Sequence, residues 1–378
     1  MLLLARKNLF SERIRLIISV GGVALSVFLI GVLLSLYRGW DEKVGGFVED
    51  SDVDVWVGSE GTNDFLAAAS LLPLENADQV GDQPEIEEWS AVIVRPMQGL
   101  AIKIDDGAEK SEEEVNIHLI GYDPATNMSG PIKIEDGKDV PGAGEIIIDQ
   151  AVSDRYGIGI GDELEAAGRR LEVVGIASGG DFVASQAVFI TLAEAQDLLK
   201  MEEKATFIGL RVADGVDPQE VADEIPLKAQ GVTAFTRDEF TQRTRDRILG
   251  NILPILTMVL GLAFIVGLAV SGLTIYTATV EKAREYGILK AVGFKNSYLY
   301  RLVFEQALCT GAIGFAIGAG LTLAFSPIAG NLVPQFVTLV RWQDMLIVLA
   351  STVVMSLVAG YVPVRRLASI DPTMVFKA

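Results

Sequence analysis

EKAREYGILKAVGFKNSYLYR, residues 281–301, lies between two long apolar runs and decides how the whole chain is read. Five of its residues are basic (Lys282, Arg284, Lys290, Lys295, Arg301) and two are acidic (Glu281, Glu285). A Lys/Arg-rich loop joining two membrane spans marks the cytoplasmic side, because positive charge resists translocation. Good helix formers and no proline from Glu281 to Ala291 predict a short helix, and Gly293 falls where such a helix stops. Charge alone leaves two readings open: a basic loop that only sets topology, or an inner-face helix on which a soluble partner docks.

Outward from this stretch, four runs approach or exceed the roughly 20 apolar residues that cross a bilayer core. They are Leu16–Leu36, Ile252–Tyr276, Ala307–Phe325 and Met345–Val362, in a chain that is 50% hydrophobic with a mean hydropathy of +0.38. Charge sets the orientation. Gly39–Arg247 holds 44 acidic and 17 basic residues, a net of −27, whereas the remainder holds 6 acidic and 14 basic, a net of +8. Arg6, Lys7, Arg13 and Arg15 precede the first run, and Arg365, Arg366 and Lys377 follow the last. Every short flank expected inside is therefore basic. The acidic stretch faces out and is a poor partner for nucleic acid.

The expected fold is a multi-pass α-helical membrane protein with four transmembrane helices and a large extracytoplasmic α+β domain inserted between the first and second. Its parts are a cytoplasmic amphipathic helix (1–15), the first span (16–38), the outer domain with stalk ends (39–247) and the second span (248–278). A cytoplasmic segment (279–303), the third span (304–326), an outer loop (327–343), the fourth span (344–363) and a cytoplasmic tail (364–378) complete it. Localisation in the inner or plasma membrane follows, with both termini in the cytoplasm. The first apolar run is too long for a typical signal-peptide h-region and reads as a retained anchor. The one cysteine, Cys309, lies in the third run, so the outer domain holds together by its core alone.

Within the domain, DVDVWVG (Asp52–Gly58) alternates as a strand does, and Asn63–Leu72 reads as helical. Further strands are expected at Ser90–Val94, Leu100–Ile104, Val115–Ile120 and Glu145–Ile148, with a charged loop over Glu109–Glu114. Asp149–Tyr156 reads as a helix stopped by Gly157, followed by two strands around a turn at Ala166–Arg169. Thr191–Glu194 is a capping box, and Asp217-Pro218 opens a second helix, between strands at Ala205–Val212 and Val232–Phe235. Thr236–Ile248 is dense in charge and runs into the second span. Of two readings, a helix flat on the outer membrane surface or a stalk, the stalk is favoured, because only Phe240 and Ile248 would supply the apolar stripe that lipid needs.

Little in the chain points to catalysis. His118 is the lone histidine, so no nucleophile-histidine-acid set exists, and no metal partners for it stand out. The glycines of GIGIG (Gly157–Gly161) lack the Gly-Lys-Ser/Thr of a phosphate loop. At the cytoplasmic edge of the third span, Glu305 stands at helical spacing from Arg301, which reads as an anchor pair rather than a proton carrier. Gly314 and Gly318 fit a small-xxx-small face for helix packing, within the chain or across a dimer, with the general tolerance of membrane helices for glycine as the other reading.

The Ala278–Phe294 segment, with Glu285, Gly287, Ile288, Leu289, Lys290, Ala291 and Gly293, resembles the inner-face segment of the MacB/FtsX-type permeases of ABC systems, the mechanotransmission ABC proteins. Phe304–Gly318 resembles the glutamate-led, glycine-rich span that follows it there. Arg366, Ile370, Asp371 and Pro372 are similar to the family's C-terminal ending. Glu145–Leu164 and Leu171–Leu199 look like its periplasmic core domain, and the size of that domain tilts the likeness toward MacB, lipoprotein-release or DevC-like branches.

The resemblance implies a non-catalytic permease subunit without a fused ATPase domain. It would bind no cofactor or metal directly and would receive ATP through a separate ABC ATP-binding subunit. The implied coupling segment comprises Glu281, Arg284, Glu285, Gly287, Ile288, Leu289, Lys290, Ala291 and Gly293. The other implied partners are a second permease (homodimer or heterodimer), an extracytoplasmic adaptor protein and membrane lipid. The expected function is to couple cytoplasmic ATP hydrolysis to shape change of the outer domain for export or extraction. An FtsX-like regulator that activates an outer partner, such as a cell-wall hydrolase, stands as the alternative.

Overall fold

A computed structural model describes residues 13–66, 70–104, 111–179, 181–182, 185–332 and 336–368. The chain divides into two compact units, Met1–Gly39 with Ile252–Ala378, and Trp40–Asn251. In chain order it runs α1 (Arg13–Lys43), α2 (Gly46–Asp50), β1 (Val55–Ser59), β2 (Leu72–Pro73), α3 (Leu74–Gly81), β3 (Ile86–Ile104), β4 (Ser111–Tyr122), β5 (Lys133–Gly137), β6 (Glu145–Asp149) and α4 (Gln150–Tyr156). There follow β7 (Glu163–Ala166), β8 (Arg169–Ser178), β9 (Asp181–Phe182), β10 (Ser185–Thr191), α5 (Leu192–Leu199), β11 (Lys204–Ala205), β12 (Phe207–Val212), α6 (Pro218–Lys228) and β13 (Val232–Thr236). The last four elements are helices: α7 (Arg237–Glu281), α8 (Ala283–Ala291), α9 (Asn296–Leu332) and α10 (Trp342–Ala368). Among the described residues, four helices, α1, α7, α9 and α10, contain stretches long and apolar enough to cross a membrane.

The Trp40–Asn251 unit is built on one mixed sheet with the order β13-β1-β12-β3-β4-β10-β6-β8-β5. β4 and β10 run parallel, as do β6 and β8, and the other ladders on this path are antiparallel. β1 lies between β12 and β13, pairing Val55 with both Leu210 and Thr236. Val55 to Gly58 are buried on both faces, so the acid–apolar alternation expected of Asp52–Gly58 ends where the strand begins. Trp56 stands at the centre of an aromatic cluster. Its ring meets Phe65 at 5.2 Å edge-on, and Phe65 stacks on Phe207 at 5.3 Å. Such pairs add about 0.5–1.5 kcal/mol each beyond the area they bury.

Short-range chemistry places the helices as expected. Asp149 caps α4 by accepting the Ala151 N–H at 2.8 Å, and Gly157 ends it at φ 65°. The β7–β8 turn puts Ala167 and Gly168 both at positive φ, the primed turn that suits a two-residue hairpin. Asp217 accepts from the Gln219 N–H to open α6 with Pro218 in its first turn. Thr191 accepts the Glu194 N–H, half of the expected capping box. The Glu194 carboxylate instead accepts from the Gly144 N–H and from Arg169, fastening α5 to a neighbouring loop and to β8.

Other expectations fail for tertiary reasons. Asn63–Leu66 is not helical, and Leu72 lies in β2, while the helix begins at Leu74. Asp64 is buried against Arg247 (3.0 Å), and the Phe65 N–H donates to Thr244 Oγ1 (3.1 Å), so this loop is held by α7 rather than by its own propensity. Ser90–Val94 and Leu100–Ile104 belong to one long strand, β3, which pairs with β4 down to Ser111. Glu112–Glu114 are therefore in a strand, whereas 109–110 lie outside the described residues, as do 1–12 of the expected N-terminal helix and 369–378 of the tail.

The charged start of α7 is strapped to the domain. Phe240 is buried in the aromatic core and stacks on Phe235 at 5.5 Å. Arg237 pairs with Asp54 and donates to the Ser51 carbonyl, Arg245 reaches Glu49 of α2, and Arg247 holds Asp64. Arg243 lies over the Phe235 ring at 4.5 Å. In the other unit, α1 is packed against three helices: its Val23 and Val27 are buried with Val348 and Met355 of α10, beside Phe264 of α7 and Phe315 of α9.

His118, on β4 opposite Pro96 and Ala187, is mostly enclosed. Burial lowers its pKa to about 4, opposed by a hydrogen bond to the Leu66 backbone. Its folded pKa lies below the ordinary 6.5, so the unfolded chain takes the proton first. Stability is therefore complete above about pH 6.5 and falls as pH drops toward 4, by up to about 3 kcal/mol. Thermal unfolding of the full chain at pH 7 and pH 5 should show a smaller acid loss for His118→Gln than for the natural protein.

Candidate functional site

α7 ends at Glu281, and Lys282 breaks the helix with φ −88° and ψ 9° before α8 begins. The helix expected from Glu281 thus starts two residues later, and Glu281 closes the preceding one. Termination follows glycine chemistry. Gly293 sits at φ 102°, and the Phe294 N–H closes back on the Leu289 carbonyl at 3.0 Å.

Two stripes run along this segment. Ala283, Tyr286, Gly287 and Lys290, at i, i+3, i+4 and i+7, are half-buried or buried. Tyr286 is the anchor: it is buried in a cluster with Ile275 of α7, Leu299, Val303 and Ala307 of α9, and Ala359 and Val364 of α10. Burial, reinforced by the Glu285 carboxylate, raises its phenol to about 12. The opposite stripe, Glu281, Arg284, Glu285, Ile288, Ala291 and Val292, is exposed. Charged groups occupy its first half and apolar ones its second, with Val292 73% and Phe294 40% exposed beside it.

Of the nine residues singled out in the sequence, Glu281, Arg284, Glu285, Ile288, Ala291 and Gly293 are exposed, whereas Leu289 and Lys290 are half-buried and Gly287 is buried. Sequence reasoning missed Tyr286, Val292 and Phe294. The 3–4 spacing of Ala283, Tyr286, Gly287 and Lys290 was a signal for the inward stripe, obscured by the lysine in it.

Gly314 and Gly318, on α9, face α1. A Cβ on Gly314 would come within 2.6 Å of Val23 Cβ, and one on Gly318 within 2.6 Å of the Ala24 carbonyl oxygen. Arg301 pairs with Glu305 at 2.9 Å. A second ion pair went unread in the sequence. Asp344, buried in the first turn of α10, accepts from Arg38 of α1 through both oxygens at 3.2 Å.

The family model for the MacB-like periplasmic core domain matches residues 16–227, more than half of the chain. The chain belongs to the MacB/FtsX-type family of ABC transporter permeases. A second model, the FtsX-like permease C-terminal region, matches residues 256–372 and so takes in α8 with both of its stripes and the Gly314–Gly318 face. An uncharacterized ABC transporter permease of Mycobacterium bovis is 23% identical over 379 residues, covering 100% of this chain and 99% of its own. The macrolide export ATP-binding/permease protein MacB 2 of Aeromonas hydrophila is 21% identical over 403 residues, covering 98% of this chain and 59% of its own. The periplasmic region of MacB from Actinobacillus actinomycetemcomitans superposes with a TM-score of 0.39 at 12% identity, covering 52% of this chain and 94% of that one.

As a MacB/FtsX-type permease, the protein should depend on Tyr286 to hold α8. Tyr286→Ala removes a buried ring from the cluster, a change that costs several kcal/mol in packed cores. Amide exchange over Ala283–Phe294 should then speed by about tenfold or more, while Tyr286→Phe leaves it nearly unchanged.

Proposed function

We propose that this chain is the transmembrane subunit that couples ATP hydrolysis on a separate ATP-binding subunit to shape change of the Trp40–Asn251 domain, for export or extraction of a substrate. In this reading α1, α7, α9 and α10 cross the membrane, both termini and α8 are cytoplasmic, and the acidic domain lies outside. The observation that carries it is α8 itself, with one stripe keyed by Tyr286 among three long helices and the other stripe exposed. A helix held in this way passes a push on its outer face into the helices around it.

The exposed stripe suits a protein surface. Its apolar half (Ile288, Ala291, Val292) can be buried by a partner, and its charged half (Arg284, Glu285) can set register. Nucleotide enters through that partner. Two permease chains, alike or merely similar, act together, and an outer adaptor receives what is released. The basic flanks that resist translocation support the orientation, because they recur at each connection placed inside.

Co-expression with an ATP-binding subunit of the same system tests this. Ile288→Asp combined with Val292→Asp should lower co-purification and stimulated ATP hydrolysis by about tenfold or more, since each places a charge in a buried contact. Association and stimulation equal to those of the natural protein would overturn the assignment.

A further inference from the structure

α7 is one helix of 45 residues, yet it is not uniform along its length. Residues Arg237–Leu249 are held by the arginine pairs and by Phe240, and Leu249 is itself buried. Packing resumes at Ala263, continues at Gly267, where a Cβ would meet Met355 Sδ at 2.6 Å, and reaches Ile275 in the Tyr286 cluster. Between these two regions, none of residues 250–262 is buried.

Pro254 lies in this stretch and is itself exposed, while Ile252, Leu256, Val259 and Leu260 are half-buried on one face. Its nitrogen carries no hydrogen, so the Gly250 carbonyl loses its helical donor, and the ring crowds that same carbonyl. Gly250 has no side chain to stiffen this turn, and a Cβ there would meet nothing within 4 Å. One turn on, the Thr257 hydroxyl donates to the Pro254 carbonyl at 2.9 Å, a side-chain bond that favours bending.

The other chain crossing differs. α1 runs unbroken to Lys43, and the left-handed joint at Gly45 (φ 85°) is braced, since a Cβ there would lie 3.0 Å from Thr241 Cγ2 of α7. The Glu49–Arg245 pair ties the next helix, α2, to the same part of α7.

We infer that Gly250–Pro254 is a built-in joint of α7, at which the strapped segment Arg237–Leu249 bends relative to the packed segment Ala263–Glu281. The joint rests on the proline, the glycine and the lack of fully buried residues between 250 and 262. Its use in passing motion from α8 to the domain rests on the proposed function. With the joint in place, small shifts at the inner end of α7 become changes of angle at the strap.

Spin labels at Gln242→Cys and Leu262→Cys, in a Cys309→Ser background, read the joint directly. The full chain is placed in lipid nanodiscs and diluted with unlabelled protein. The labelled positions are twenty residues apart, about 30 Å on a straight helix. The natural sequence should give a broad distance distribution centred below that value. Pro254→Ala, which restores the missing hydrogen bond, should narrow it about twofold and move it to about 30 Å. Gly250→Ala should narrow it in part. A distribution as narrow for the natural protein as for Pro254→Ala would overturn the joint. This readout needs no ATP-binding subunit, so failure of that subunit to associate would sink the proposed coupling and leave the joint standing.

Discussion

Phe240 sits in the aromatic core of the Trp40–Asn251 unit and belongs to the helix that also supplies the second long apolar stretch. Much of the structure depends on that one burial. Removing a phenylalanine from such a core costs several kcal/mol, far more than any exposed ion pair returns. The core of the domain and the start of the helix therefore cannot be separated cheaply. The arginines around Phe240 add direction rather than strength. Exposed pairs such as Arg243–Glu239 are worth little, whereas Arg247 meets a buried carboxylate, Asp64, at 3.0 Å.

The acidity of the domain is handled in the same way. Several of its cations act as fasteners. Arg211 bridges Asp52 and Glu88 across neighbouring strands, Arg169 joins Glu194 and Asp197, and Lys138 meets Glu145. What is left over on the surface is mostly negative, which keeps the unit soluble and sets a long-range field around it.

Much of this was legible in the sequence because the signals were local. Helix caps at Asp149, Thr191 and Asp217, the Ala167–Gly168 turn and the four apolar runs all rest on neighbouring residues. The stop at Gly293 was readable for the same reason. What could not be read depends on contacts between distant segments. Asn63–Leu66 has helical composition but is pinned by Thr244 and Arg247, more than 170 residues on in the chain. Tyr286 shares its 3–4 spaced stripe with Lys290, which hid the inward face, and the Arg38–Asp344 pair joins residues 306 apart. Such pairings appear only when the helices are side by side.

The central position of α1 has a consequence for biogenesis. Among the four long helices described, the most enclosed, α1, precedes the other three in the chain, and the helix whose glycines receive it, α9, comes after the entire domain. α1 must therefore persist through that interval without its packing partners, with Ser19, Ser26 and Ser35 not yet sheltered. Assembly of the bundle is then a late capture: α9 and α10 close around a helix already waiting for them.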